Sequence, residues 1–236
     1  MLAELLRRLA KIDGVEWLRV LYAYPDTVTD ELLSTFAEEK KVVKYIDLPI
    51  QHCNDAVLAS MRRRGNRAEL TALIQKMRAT VPNLMLRTTL IAGYPGETEE
   101  QFDELCSFVR EMRFERLGCF AYSQEEGTVA ASLPGQIDED EKQRRAETVM
   151  EIQMNLMQEM GEKMKGRVLR VLTEGFDRYA DCWFGRSYMD APDVDGKIYF
   201  RATGKKPVPG HFIRVKITNC IDGDLTGEMT EERETE

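Results

Sequence analysis

The sequence contains no CxxC and no CxxxCxxC, and its five cysteines make an odd set. Cys53, Cys106, Cys119, Cys182 and Cys220 are widely spaced. That pattern excludes a disulfide framework and a local metal knuckle, and buried thiols of a cytosolic protein are expected instead. No run of about 18 apolar residues exists, so no membrane span and no membrane partner are expected. The start, MLAELLRRLAKIDG, is broken by Arg7 and Arg8 and is followed by no small-residue cleavage site, so it does not read as a signal peptide. A basic excess is also lacking: 33 Lys and Arg stand against 41 Asp and Glu, a net charge of −8. A general nucleic-acid binder needs a basic footprint to neutralise phosphates, and this chain has none overall. An acidic surface suits a basic protein partner. The chain is expected to be soluble and cytoplasmic.

What is present is a core. Of 236 residues, 43% are hydrophobic, enough for one large domain or a medium and a small one. Up to about residue 122, strands and helices alternate. Leu5, Leu6, Leu9 and Ile12 share a helical face that Gly14 ends. WLRVLYAY (17–24) is a short buried strand. TDELLSTFAEEK (29–40) is a helix capped by Thr29, with Leu32, Leu33 and Phe36 inward. YIDLPI (45–50) is a second strand. NDAVLASMRRRG is a helix closed by Gly65, and another helix over 67–80 stops before Pro82. LMLRTTLIAG (84–93) is a strand, TEEQFDELCSFVREM (98–112) a helix with a Thr98–Gln101 capping box, and RLGCFAY (116–122) a fourth strand. Such alternation predicts a parallel sheet with helical cover, and four strands do not close a barrel. The first helix has no strand before it, so the chain is expected to begin inside a repeat.

After Tyr122 the pattern changes. A polar loop leads to one long helix over 138–165, striped by Val149, Ile152, Leu156 and Met160 and widened by Met150, Met154, Met157 and Met164. These methionines are expected to fill core rather than form a promiscuous binding face. From Arg167 short strands follow: RVLRVLT, RYADCWFGRSY, KIYFRATG and FIRVKITNCI, separated by the turn signals EGFD, APDVDG, KKPVPG and IDGD. About five strands in some 62 residues predict a small OB-like β-barrel. The expected division is therefore a partial barrel over 1–137, a linking helix over 138–165, a β domain over 166–228 and a disordered acidic tail over 229–236.

In parallel α/β folds, function sits where strands end and helices begin. Three such edges carry unusual residues: Tyr22, Tyr24, Pro25 and Asp26; Gln51 and His52; and GYPGE, Gly93 to Glu97. Gln51 can donate and accept, which suits a ribose diol. His52 reads equally as a cap of the next helix. Gly93 and Gly96 permit a tight turn or close approach to a ligand, beside a helix N-terminus. Arg62, Arg63 and Arg64 close a helix, where cations offset its dipole, though one of them could turn inward onto a carboxylate.

YIDLPIQH…VLASMRRRG followed by RTTLIAGYPGETEEQF resembles the second half of a radical S-adenosylmethionine (SAM) methylthiotransferase, from near residue 5 to about 228. The long helix and the β segment with GRSYMDAPDVDG (185–196) resemble the TRAM domain that ends these enzymes. WLRVLYAYPDTVTDEL and YIDLPIQH resemble the branch that modifies a ribosomal protein; the tRNA-modifying branch usually reads LPVQSGS where this chain has LPIQHCN. The resemblance implies a partial parallel radical SAM barrel, TIM-like, followed by the TRAM barrel. It implies that Gln51 meets the SAM ribose, that Arg63 meets the SAM carboxylate, and that Ile91 and Gly93 pack on adenine. Where the family's strand has its first glycine, this chain has Thr89. The resemblance also implies two 4Fe-4S clusters, each held by three cysteines, one of them at CxxxCxxC. None of the five cysteines matches either set, so the ligands are expected upstream of Met1, with no catalytic or metal residue in this chain. The implied reaction is methylthiolation of the β-carbon of an aspartate in the twelfth small-subunit ribosomal protein, with an electron donor protein as a further partner. The chain alone is expected to be inactive.

Two rivals stand. A tRNA adenosine methylthiotransferase would share the chemistry, but 166–228 holds ten basic and nine acidic residues, a weak footprint for tRNA. Trp183, Phe184, Tyr188 and Tyr199 could stack on bases, although core is the commoner fate of strand aromatics. A non-enzymatic binding protein would explain the missing cysteines. It would have no use for Gln51, Arg63 and GYPGE together.

Overall fold

Tyr22 and Gln51, two side-chain-bearing residues, adopt left-handed backbone just past the first two strands (φ 66° and 72°). They mark how this fold departs from its sequence pattern: the first two strands end three or four residues before the sequence pattern puts their ends. The structure, a computed structural model, describes residues 1–235. It divides into two compact units that meet within one helix, after Gln153.

In the first unit β1 (Leu18–Val20), β2 (Val42–Asp47), β3 (Met85–Ala92) and β4 (Arg116–Ala121) form one parallel sheet in that order. Around them run α1 (Leu2–Ala10), α2 (Asp30–Glu38), α3 (Asp55–Ser60), α4 (Arg67–Thr80) and α5 (Glu99–Met112). Neighbouring parallel strands in sequence order are the start of a (β/α) barrel, as expected. On β3, Leu86, Thr88, Leu90 and Ala92 are buried, while Met85, Arg87, Thr89 and Ile91 are half-buried. The two-residue period of a strand therefore buries one face fully and leaves the other for function. That second face carries Arg87, whose Nη1 donates to Asp47 at 2.9 Å.

Local signals place most helices. Thr29 accepts from the Leu32 amide, and Thr98 and Gln101 form the expected capping box. Three readings change. The strand over 17–24 stops at Val20, because Tyr22 turns left-handed and Pro25 opens a 3₁₀ turn, Pro25–Thr27. α3 ends at Ser60, so the three arginines follow the helix in a loop that Arg62 enters with φ 56°. On α1, Ala3 and Leu6 are buried while Leu5 and Ile12 are exposed.

The long helix is α6 (Glu139–Glu162). Within the first unit its Val149 is buried, Met150 Sδ accepts the Cys119 amide of β4, and Gln153 donates to the Phe114 carbonyl. Met150 thus serves the core, as expected of the methionines, whereas Met154 is exposed. Among the described residues no helix is long and apolar enough to cross a membrane.

In the second unit β5 (Val168–Asp177), β6 (Cys182–Arg186), β7 (Ile198–Arg201), β8 (Phe212–Ile221) and β9 (Asp224–Met229) close a barrel in the order β5-β6-β7-β9-β8. All pairs are antiparallel except β7 with β9. This is the OB-like barrel that the strand spacing predicts. β9 follows a two-residue turn, Asp222-Gly223, both left-handed as a tight hairpin requires. EGFD, read as a turn, instead prolongs β5 beyond an irregularity at Thr173–Gly175. Trp183 is buried against Phe176, and Phe184 lies beside Tyr199, so these aromatics serve the barrel. The tail does not read as free chain. Thr235 exchanges hydrogen bonds with Val168, and Glu232 pairs with Lys216 at 2.8 Å. Basic side chains on β8 draw the acidic tail back; Glu236 lies outside the described residues.

A Cβ at Gly185 would lie 2.1 Å from the Leu172 carbonyl oxygen, on backbone that cannot step aside. Gly185→Ala is therefore expected to lower the stability of the β unit by about 1–3 kcal/mol. An unchanged urea midpoint would contradict the packing of β5 on β6.

Candidate functional site

Each of the first three strands reaches its C-terminal edge through a left-handed residue: Tyr22, Gln51 and Gly93 (φ 66°, 72° and 75°). For residues with a Cβ this costs about 1–3 kcal/mol, and such strain clusters at functional sites. At Gln51 it is held by its neighbours. The Gln51 amide donates to Thr89 O at 2.9 Å, and its carbonyl accepts from the Ile91 amide at 2.8 Å. The backbone is thus fully used, while the half-buried side-chain amide has no hydrogen bond among the described residues. Ile91, its neighbour across the strands, packs against a small cluster of Val57, Tyr94 and Tyr122.

Arg62 and Arg64 are exposed, whereas Arg63 is half-buried. Arg63 Nη1 donates to Pro49 O at 3.2 Å and its guanidinium lies over the Tyr24 ring. Arg64 reaches Asp26 at 3.6 Å. The inward arginine is therefore Arg63, which from the loop after α3 reaches the Pro49 carbonyl, two residues before Gln51. Tyr24, Ile50, Met61 and the three arginines line a cleft of about 330 Å³.

Gly93 is placed differently from the sequence expectation of an open backbone. Its amide donates to Glu97 Oε2 at 3.1 Å, and the space of a missing Cβ is filled by Lys142. Lys142 is itself buried and donates to the Tyr122 carbonyl. So Gln51, Ile91 and Arg63 gather at one edge with groups to spare, and Gly93 sits beside them with its amide and open side already engaged.

Behind this edge lies a group the sequence reading missed. His52 is fully buried. Its Nδ1 accepts the Asn54 amide at 2.9 Å, which puts the ring N–H on Nε2, 3.4 Å from Glu97 Oε2. That contact is long for a hydrogen bond, and no other partner for Nε2 exists among the described residues. Glu97 is 4% exposed and accepts from Arg145 Nη1 at 2.8 Å, while the Glu97 carbonyl accepts from the same guanidinium at 3.0 Å. Arg145 also pairs with Glu99 and Glu141. Burial alone would raise the Glu97 pKa, but the facing His52 ring and the hydrogen bonds from Arg145 and the Gly93 amide outweigh it and hold the carboxyl below its ordinary 4.5. His52 does brace the next helix, as its capping reading anticipates, but it also faces a carboxylate. Nothing in the periodicity of α6 marks Arg145; only its inward position does.

The thiols do not form a centre. Among the described residues no three His, Cys, Asp or Glu side chains converge as metal ligands, and no disulfide joins the five cysteines. Burial pushes Cys53 and Cys119 up to about 12, far from the thiolate that an iron–sulfur cluster needs. These residues do not fit a cluster. An uncommitted amide at Gln51 and a guanidinium at Arg63 with donors to spare do fit the diol and carboxylate ends of SAM.

A larger groove, about 720 Å³, lies on the β-barrel unit, with Arg170, Lys206, His211, Phe212 and Arg214 facing Glu231 and Glu234. Its charges are mixed and it holds no strained backbone of the kind found at the sheet edge.

Sequence comparison places the chain by class. Residues 1–109 match the radical SAM superfamily and residues 166–230 the TRAM domain. Over nearly all its length it is similar to proteins named ribosomal protein uS12 methylthiotransferase RimO. One from Lachnoclostridium phytofermentans is 47% identical over 96% of this chain and 51% of its own length. Another from Caldanaerobacter subterraneus subsp. tengcongensis is 46% identical over 97% and 51%. A third from Clostridium acetobutylicum is 43% identical over 98% and 51%. The chain thus spans about half the length of the curated relatives it matches. Among solved structures, coproporphyrinogen III oxidase HemN from Escherichia coli, described as a radical SAM enzyme, superposes loosely: TM-score 0.46, 19% identity, 68% of this chain and 36% of that one.

Arg145→Met is expected to cost about 3–5 kcal/mol, because it leaves the Glu97 charge buried and unpaired. The double variant Glu97→Gln/Arg145→Met should lose less than the two single losses together; additive losses in a double-mutant cycle would deny the pair. Because the folded Glu97 pKa is lowered, its contribution is present above about pH 4.5 and is lost as pH falls through the folded value. The acid limb of a stability–pH curve should therefore flatten in Glu97→Gln, and an unchanged limb would contradict the depressed carboxyl.

Proposed function

We propose that this chain supplies the SAM-side half of the barrel and the TRAM domain of a methylthiotransferase that modifies an aspartate β-carbon of ribosomal protein uS12. The observation that carries the reading is the left-handed Gln51 with an uncommitted amide, beside an inward Arg63 and at the same edge as Ile91. In this reading Gln51 holds the ribose diol, Arg63 the carboxylate and Ile91 the adenine, while Gly93, engaged by Glu97 and Lys142, shapes the strand exit beside them. Bound SAM supplies the means to activate an unreactive C–H bond and the methyl of the methylthio group. The chain's own residues bind and orient it. Cluster ligands lie outside these residues, so the chain by itself is inactive. The relatives' names support uS12 as the protein modified, and the net charge of −8 suits a basic ribosomal protein; the radical chemistry further calls for an electron donor protein. The site of action is the cytoplasm, where ribosomes are made.

A tRNA adenosine substrate is the second reading. The basic side of the barrel groove, with Arg170, Lys205, Lys206 and Arg214, favours it.

The deciding experiment expresses the full-length gene in a host without its own copy. A methylthio mass gain on uS12 with unchanged tRNA nucleosides is expected. A methylthioadenosine gain with unchanged uS12 would establish the second reading. In the full-length protein Arg63→Met should weaken SAM binding by about 1.5–3 kcal/mol, the worth of a hydrogen bond to a charged group; equal affinity in equilibrium dialysis would remove Arg63 from the site.

A further inference from the structure

The two strand ends proposed to hold SAM are joined behind the site by one buried carboxylate. Glu97 Oε2 accepts the Gly93 amide at the end of β3 and faces His52 Nε2 at 3.4 Å, directly after Gln51 at the end of β2. His52 has two distinct jobs on its two nitrogens. Nδ1 caps the turn into α3 through the Asn54 amide; Nε2 reaches across to Glu97. Arg145 Nη1, 2.8 Å from Glu97 Oε1, keeps the carboxylate charged and in place. A left-handed non-glycine residue persists only where its surroundings over-determine it. Gln51 has two backbone hydrogen bonds to β3, and the next side chain along faces, at 3.4 Å, the carboxylate that accepts the amide at the same strand's exit.

We propose that His52 and Glu97 are positioning residues: they clamp the exits of β2 and β3 together and so set the aim of the Gln51 amide toward a SAM diol. Neither touches the cofactor. The proposal rests on the reading of Gln51 as a SAM contact. It separates the Nε2 job from the Nδ1 job, and paired isosteres test that separation. An asparagine amide reproduces the position of Nδ1, a glutamine amide that of Nε2. His52→Asn therefore retains the cap and drops the clamp; His52→Gln retains a donor to Glu97 and drops the cap.

SAM affinity of the full-length, cluster-reconstituted protein is measured by equilibrium dialysis, alongside amide hydrogen exchange. His52→Asn is expected to weaken SAM binding and His52→Gln to leave it near wild type. Outer partners that orient metal ligands are worth about 10- to 100-fold, and a comparable loss is expected here. Equal loss in both variants, loss in His52→Gln alone, or loss in neither overturns the proposal. If His52→Asn does not fold, Glu97→Asp decides. It keeps a charge for Arg145 but draws the carboxylate back from His52 and Gly93, so weakened SAM binding is expected and full affinity overturns the clamp. If the wild-type protein binds no SAM, the functional reading fails on its own. Exchange then decides the clamp: faster exchange at Gln51 and Ile91 in His52→Asn than in His52→Gln supports it, and equal rates overturn it.

Discussion

A charged carboxylate sits where almost no water reaches, and the rest of the parallel-sheet unit is arranged around keeping it there. Glu97 could not remain ionised at 4% exposure without compensation, since desolvation alone would neutralise it. Arg145 provides the opposite charge, the Gly93 amide a fixed dipole, and His52 a ring N–H. Each of these partners comes from a different element: α6, the exit of β3 and the exit of β2. One buried ion thus ties a covering helix and two strand ends, and it explains why a glycine stands at 93. Its left-handed backbone aims the amide at the carboxylate, while Lys142 takes the room that a side chain would need.

That arrangement divides labour between two sides of the strand edge. On the inner side Glu97, Arg145 and Lys142 have hydrogen-bond partners in the protein, and His52 Nε2 faces the Glu97 carboxylate at 3.4 Å. On the outer side the Gln51 amide and most of the Arg63 donors remain available. A binding site needs this contrast, because groups that greet a ligand must be held still by groups that do not. The thiols belong to neither side. Cys53 and Cys119 are buried and pushed up to about 12, and they behave as small apolar residues.

The two units differ in how their sequences declare them. In the β unit, alternation and turn signals mark a five-strand barrel, yet the extension of β5 through Glu174–Asp177 escapes notice, where Gly175 leaves room for the Phe184 ring. In the first unit, α4 spans the 67–80 expected from its periodicity and Pro82, with Asn66 accepting the Glu69 amide at its start, because caps and prolines act within a few residues. The end of α3 is not, since Arg62 turns left-handed where nothing local compels it.

What the sequence determined by itself is what rests on short-range rules: the helix starts at Thr29 and Thr98, the strand–helix alternation, the small closed barrel, and the placing of Gln51, His52 and Gly93 just past strand ends. It also determined that no local cysteine motif is present. Only the tertiary structure decided which of three consecutive arginines turns inward, that Gly93 faces Lys142 and Glu97, and that His52 meets a carboxylate 45 residues away through a pair with Arg145 a further 48 along. The physical reason is range. Caps, turns and periodicity are set by neighbours along the chain, whereas a buried charge is stable only when partners from distant segments converge on it, and no window of sequence contains them all.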